Sequence, residues 1–442
     1  MSYQPPVPIV MLERRKPLDL LFPLKGGAAN HNGSHNSNRM TALDRMRAAV
    51  ILTKDAVKAV SLTAMEALRE GASMIGILGE QDELVDPFSH LEAPIWPREP
   101  PAELMRLAYN YCEQLTMREA GNFYHSFKYL PDDQRQAMCA VYAFCRRADD
   151  IADGDWQDKF PGSRGEMDPE AVDYRTQLEN LQQKDTILQE DRYLQKITQL
   201  FFFRKKLSTC YNEVCSTDPV FLALKDTVNR YNIPRQVFDD LITGMEDDLY
   251  NNRYRNFDEL YLYCYRVASV VGLMCIEIYG YEDPRAKHFA ESWGIFMQLT
   301  NVLRDIGEDI ERNRVYLPLD ELEKNGIKES ELGESVVLNT AWEPYVHNYA
   351  KRARTYLEEA KQLLPLLPRR SRYSPAAMIA FYGKILRKIE RQQGDVFTKR
   401  VKLNKMQKLS LAATVYLRHR FLPAFLDPVW TGLSRIGLLP DV

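Results

Sequence analysis

Two pairs of carboxylates are the residues most able to do chemistry. Asp149 and Asp153 lie four apart in RRADDIAD, and Asp305 and Asp309 repeat that spacing in QLTNVLRDIGEDIE. On a helix, residues four apart share a side. Two carboxylates one turn apart repel each other unless positive charge sits between them, and a hard divalent cation with oxygen ligands removes that cost. Arg146, three residues before Asp149, shares the side. In the second motif Asn301 stands one turn before Asp305, Gln298 three residues further upstream, and Glu308 adds a third carboxylate. Apolar Phe296, Leu299, Val302 and Leu303 flank this polar stripe, which therefore reads as the wall of a cavity. For either motif alone, a surface ladder of ion pairs is a strong competing reading. Two such motifs, each in an otherwise apolar helix, count against it.

Two helices facing across a pocket would hold two or three Mg2+ ions, with Mn2+ as an alternative. Magnesium usually completes its shell with phosphate oxygens, so the ligand reads as a diphosphate, with Arg146 and Arg304 as countercharges. Cations and arginines around a diphosphate stabilise it as a leaving group, and an apolar helical tunnel shields the resulting carbocation from water. Allylic diphosphates ionise readily in such a setting. Aromatic faces can stabilise the cation, although most of the 24 tyrosines and 18 phenylalanines would be core.

Helices must position these groups. Apolar residues recur with a 3.6-residue period from Leu104 to Leu115, from Ala137 to Asp153 and from Phe289 to Glu311, while Gly and Pro fall mainly between periodic segments. The pattern predicts an all-α helical bundle, with no Gly-rich phosphate loop and no dinucleotide fingerprint. Residues 1–45 read as a disordered extension in which His31 and His35 sit in a polar linker. Residues 46–101 read as a helical, Pro-rich extension, 102–409 as the catalytic domain, and 410–442 as an apolar and basic tail. Residues 157–218 read as an inserted polar region or an elongated surface helix, with Phe201, Phe202 and Phe203 unexplained.

Composition narrows the classes further. With 58 Lys and Arg against 61 Asp and Glu, the net charge of -3 argues against a nucleic-acid coat. Seven irregularly spaced cysteines indicate neither a disulfide scaffold nor a zinc module and suit a reducing, cytoplasmic compartment. No run of about 18 apolar residues predicts a membrane span. Glu13 and Asp19 come early for a secretory or plastid leader.

Three segments resemble the signatures of the squalene/phytoene synthase family of head-to-head prenyl transferases: NFYHSFKYLPDDQRQAMCAVYAFCRRADDIAD, YCYRVASVVGLM and QLTNVLRDIGEDIERNRVYLP. The resemblance implies an isoprenoid synthase helical bundle around a central catalytic cavity. It places Asp149, Asp153, Asp305 and Asp309 on the metal-binding aspartates and adds Asn301, a polar residue of the same helix, to the metal set. Arg146 falls on a diphosphate-contacting arginine, and Arg304 on the one before the second motif. Gln298, Arg312 and Arg314 join the diphosphate-binding set. Tyr263 falls on a tyrosine linked to rearrangement of the intermediate; by residue type alone it would read as core. Asp150 and Glu308 also occur in the pattern, with less direct roles.

The implied reaction joins two prenyl diphosphates through a cyclopropylcarbinyl diphosphate. The expected product is phytoene from two C20 geranylgeranyl diphosphates. The alternative is two C15 farnesyl diphosphates giving presqualene diphosphate, squalene or dehydrosqualene, with NADPH needed only for squalene. A one-substrate terpene cyclase and a non-catalytic assembly factor are remoter readings. The expected partners are small prenyl diphosphates and no nucleic acid, the chain being a monomer or weak homodimer. The Trp-bearing, basic tail suggests peripheral membrane contact. Gly394 departs from relatives that carry an aromatic residue before Asp-Val-Phe, which would alter the pocket if that aromatic lines it.

Overall fold

The computed structural model describes residues 100–156, 191–212, 216, 218–398 and 400–421. All belong to the second of the chain's two units, Ala72–Val442. The expectations for residues 1–99, 157–190 and 422–442 lie outside the described residues. Among the described residues every regular element is helical, and an isolated bridge pairs Arg253 with Val315.

Helices α1 (Ala102–Glu119) and α2 (Gly121–Phe127) lead into α3 (Asp132–Asp153). Pro131 precedes α3, and Asp132 and Asp133 sit at its positive end. Gly154, at φ 85°, closes it in the left-handed conformation, its N–H donating to the carbonyls of Asp150 and Ile151. The first acidic motif therefore occupies the last turns of α3, whose other side buries Cys139, Ala140, Ala143 and Phe144 completely.

The chain continues through α4 (Asp191–Leu207), α5 (Pro219–Tyr231), α6 (Arg235–Tyr250) and α7 (Phe257–Cys264). A π-helical turn at Tyr265–Ser269 joins α7 to α8 (Val270–Tyr279). Then come α9 (Arg285–Glu311), α10 (Leu319–Lys324), α11 (Trp342–Lys361), α12 (Tyr373–Arg391) and α13 (Lys405–Phe421). Helix α4 is not the surface element its polar sequence suggests. Ile197, Leu200, Phe203 and Leu207 are buried, and the Phe203 ring lies 4.7 Å from Phe144 and 5.1 Å from Phe221. Phe203 is a core plug, and burying such a ring contributes about 1.5–3 kcal/mol.

The run Phe257–Tyr279 is long and apolar enough, by length and composition, to cross a bilayer. It packs against α6 and α9 as a core helix. Its approach to α9 is backbone to backbone. A Cβ on Gly272 would stand 2.5 Å from the Ala290 carbonyl oxygen, and one on Gly294 2.4 Å from the Ser269 Cα. Only glycine allows that separation.

Candidate functional site

The second acidic motif fills the last turns of α9. The chain then reverses through Arg312, Asn313 and Arg314, with Asn313 left-handed at φ 57°. That turn aims both arginines at α3: Arg312 Nη1 donates to Asp153 Oδ2 and Arg314 Nη1 to Asp153 Oδ1, each at 3.1 Å. The two motifs are thus joined by two ion pairs whose partners lie 159 and 161 residues apart in sequence.

The other arginines hold Asp149, Asp150, Asp305 and Glu308. Arg146 donates to Asp149 at 3.2 Å and pairs with Asp150 at 2.5 Å. Arg304 forks onto Asp305, with Nε–Oδ1 at 2.8 Å. Arg400 bridges Asp305 (3.0 Å) and Glu308 (2.6 Å). Asn301 Nδ2 donates to Gln298 Oε1 at 3.2 Å. All the sequence-predicted groups therefore lie on the C-terminal halves of α3 and α9 and the turn after α9, except Tyr263 on α7.

Tyr263 reaches the cluster through a residue that the sequence reading missed. Its hydroxyl donates to Asp248 Oδ2 at 3.0 Å, and Tyr316 donates to Asp248 Oδ1 at 2.9 Å. The Tyr263 and Tyr316 rings stack 5.0 Å apart, with Tyr254 5.2 Å from Tyr263. Two loops hold this group in place. Val315 N donates to Asn252 O at 2.9 Å, Leu319 N to Tyr254 O at 3.0 Å, and the Arg253 guanidinium to Asn313 O at 2.6 Å. The paired acids in GMEDDLY on α6 were the available signal for Asp248. Arg400, alone in a loop, had no periodic partner to mark it.

The carboxylates feel their crowding. Burial first, and then Asp153, pushes Asp149 up to about 6. Burial and Asp305 push Asp309 up to about 7. Asp248 rises to about 7, chiefly through burial, with the Arg314 charge and the two tyrosine hydrogen bonds opposing.

A divalent cation fits these groups. Among the described residues, buried Asn301 Oδ1 has no hydrogen-bond partner, which leaves a hard oxygen donor one turn from Asp305. Buried Arg146 Nε likewise lacks an acceptor. No group of three or more His, Cys, Asp or Glu among the described residues is pre-assembled as a metal cage. Arginines hold Asp149, Asp153 and Asp305 instead, and an arriving diphosphate would offer those arginines an alternative anion.

Two further observations bound the site. A hollow of about 360 Å³ lies along α3, lined by Arg147, Trp156, Phe202 and Lys206 among others, and includes none of the predicted site residues. There Arg147, buried under the Trp156 ring at 4.6 Å, pairs with Asp218, which also takes Lys206 at 2.8 Å. Gly394 does not line the candidate site. At φ 78°, its carbonyl accepts from Trp342 Nε1 at 3.2 Å, and an added Cβ would meet Val346 Cγ2 at 2.8 Å. Trp342 fills the space beside it.

Comparison with known proteins gives a concordant result. Residues 116–407 match the family model described as squalene/phytoene synthase. The chain is 34% identical over 332 residues to a chloroplastic phytoene synthase of an Oncidium hybrid cultivar, covering 74% of this chain and 71% of that one. It is 34% identical over 322 residues to phytoene synthase 2 of Solanum lycopersicum, covering 71% and 92%. Among solved structures, a dehydrosqualene synthase in complex with ligand aligns with TM-score 0.58 at 27% identity, covering 72% of this chain and 99% of the other. A squalene synthase from Alicyclobacillus acidocaldarius shares the fold at TM-score 0.53 and 24% identity, covering 66% and 97%.

Proposed function

The chain belongs to the squalene/phytoene synthase family of prenyl transferases, and from that premise we propose that it condenses two geranylgeranyl diphosphates head to head to give phytoene. The observation that carries the reading is the pair of Asp-x-x-x-Asp motifs on α3 and α9, joined through Arg312 and Arg314 to Asp153.

In the first half-reaction the C1–O bond of one allylic diphosphate breaks, and its electron pair leaves on the diphosphate. The C2–C3 π pair of the second molecule forms the new carbon–carbon bond, and loss of a proton closes the cyclopropane. A second ionisation, rearrangement and proton loss then release the linear polyene. Two diphosphates and two protons leave, so the phytoene product needs no reductant. NADPH enters only if the final step adds hydride, as for squalene.

Each group has a part in this scheme. Arg146, Arg304, Arg312, Arg314 and Arg400 bind and orient the diphosphates, helped by Gln298. Asp149, Asp153, Asp305, Asp309 and Asn301 would hold two or three Mg2+ ions. Bound there, Mg2+ would neutralise the departing diphosphate. Tyr263 and Tyr316 face the reacting carbons, and Asp248 fixes their hydroxyls. The stacked rings of Tyr254, Tyr263 and Tyr316 supply π faces toward a cation.

The 34% identity to phytoene synthases supports the C20 substrate. The likeness to a dehydrosqualene synthase across nearly all of that chain supports the two-C15 alternative. The test is to incubate purified protein and Mg2+ with C20 or C15 diphosphate, with and without NADPH, and weigh the lipid extract. A C40 polyene from the C20 substrate without NADPH is expected; turnover of the C15 substrate alone would select the alternative. A product this apolar leaves into a lipid phase, so the protein works in peripheral contact with a membrane.

A further inference from the structure

We propose that a cationic face of α12 and α13 docks on the anionic headgroups of a lipid bilayer, a proposal that rests on the hydrocarbon-product reading and names the surface that serves it. Between Tyr373 and Phe421 the chain carries eleven lysines and arginines against two carboxylates, in a protein whose totals are 58 and 61. Each carboxylate already has a partner. Glu390 is held by Arg354 of α11, and Asp395 accepts from the N–H and hydroxyl of Thr398.

On α12, Lys384, Arg387, Lys388 and Arg391 fall at i, i+3, i+4 and i+7 and share one face. They stand close enough that, after burial, the charges of Arg387, Arg391 and Lys388 push the Lys384 ammonium below its ordinary value. Lys388 donates to the Lys402 carbonyl at 2.6 Å, which brings the exposed Lys402 to the same region. Among the described residues no carboxylate pairs with Lys384, Lys388, Arg391, Lys402 or Lys408.

Helix α13 packs on α12 and adds apolar contact. Met406 leaves 68% of its surface in water. Toward the other end of the helix Tyr129, 46% exposed, lies 4.8 Å from the Tyr416 ring. Cations on α12 and in the loop after it, with an exposed methionine at the start of α13, match the boundary between headgroups and acyl chains. An acidic soluble partner would satisfy the charge but leave the apolar groups unused.

The test is flotation of the full-length protein with vesicles of phosphatidylcholine alone or with one-third phosphatidylglycerol, alongside diphosphate release in detergent micelles. The wild type should float with the anionic vesicles. Neutralising Lys384→Gln, Arg391→Gln, Lys402→Gln and Lys408→Gln together should lower partitioning at least about a hundredfold. Met406→Ser, which leaves the charge unchanged, should lower it about tenfold. Both variants should release diphosphate in micelles at the wild-type rate. Undiminished flotation of the variants, equal flotation on neutral vesicles, or preference for soluble polyglutamate would overturn the proposal. Absence of diphosphate release by the wild type in micelles would instead count against the enzymatic reading and leave the flotation result standing.

Discussion

Replacing Asp248 with asparagine should stabilise the protein at pH 8 and stop turnover at the same pH. The carboxyl has an ordinary value of 3.8, and burial pushes it up to about 7. Between those values the unfolded chain has released the proton and the folded chain still holds it. The folded state therefore binds more protons there, and stability falls as pH rises through the window, by about 1.4 kcal/mol per unit. Across about three units this amounts to about 4 kcal/mol, lost in full above pH 7. Asparagine never acquires the charge, but its one oxygen serves only one of the two tyrosines, which costs about 1–3 kcal/mol. The net result is a gain of about 1–3 kcal/mol at pH 8 and a loss below pH 5. At about 2 °C per kcal/mol for a domain this large, thermal midpoints should differ by several degrees, with opposite sign at the two ends. The assay is the thermal midpoint of wild type and Asp248→Asn at pH 5, 6, 7 and 8 without added divalent ions, with diphosphate release measured alongside at pH 8 with Mg2+. Midpoints that run parallel across pH would show that Asp248 carries no buried charge, and unimpaired release would remove it from the site.

Other expectations follow from the same geometry. Asp149→Ala and Asp305→Ala should each abolish diphosphate release while leaving circular dichroism unchanged; retained turnover in either would remove that carboxylate from the metal set. Arg400→Gln, which frees Asp305 and Glu308 of their loop partner, should raise KM for the prenyl diphosphate at least about tenfold, since a charged hydrogen bond contributes about 1.5–3 kcal/mol; an unchanged KM counts against diphosphate binding. Arg147→Met breaks a buried pair and should cost about 3 kcal/mol, read as a lower thermal midpoint with kcat at 20 °C preserved. Gly394→Ala adds a Cβ at positive φ against Val346 and should destabilise by about 1–3 kcal/mol without changing product length. A changed product length would return Gly394 to the cavity.

The helices were legible in the sequence because period and breakers agreed, and the aspartate pairs because i,i+4 spacing puts both side chains on one side of a helix whatever packs against it. Arg312 and Arg314 came only through the family resemblance, since their convergence on Asp153 depends on one left-handed residue, Asn313, between them. Asp248 was hidden because one half-buried acid looks in sequence like the acids beside it, Glu246 and Asp247, until the loops at Asn252 and Val315 bring Tyr263 and Tyr316 onto its two oxygens. The polar character of 157–218 masked Phe203 in the same way: a helix with charged residues all round it can still anchor a core through one face.

The contacts at Gly272 and Gly294 bear on which parts of the site can move. Where two backbones touch with no side chain between them, there is nothing to repack, and the two helices can move only as one piece. Tyr263 and the second aspartate pair therefore belong to a rigid frame. Helix α3 has no such seam among the described residues and is tied to that frame at the site through the swivelling side chains of Arg312 and Arg314. Side-chain ion pairs can re-form at a new spacing, so these two contacts, unlike the glycine seam, tolerate a small shift between the two motifs.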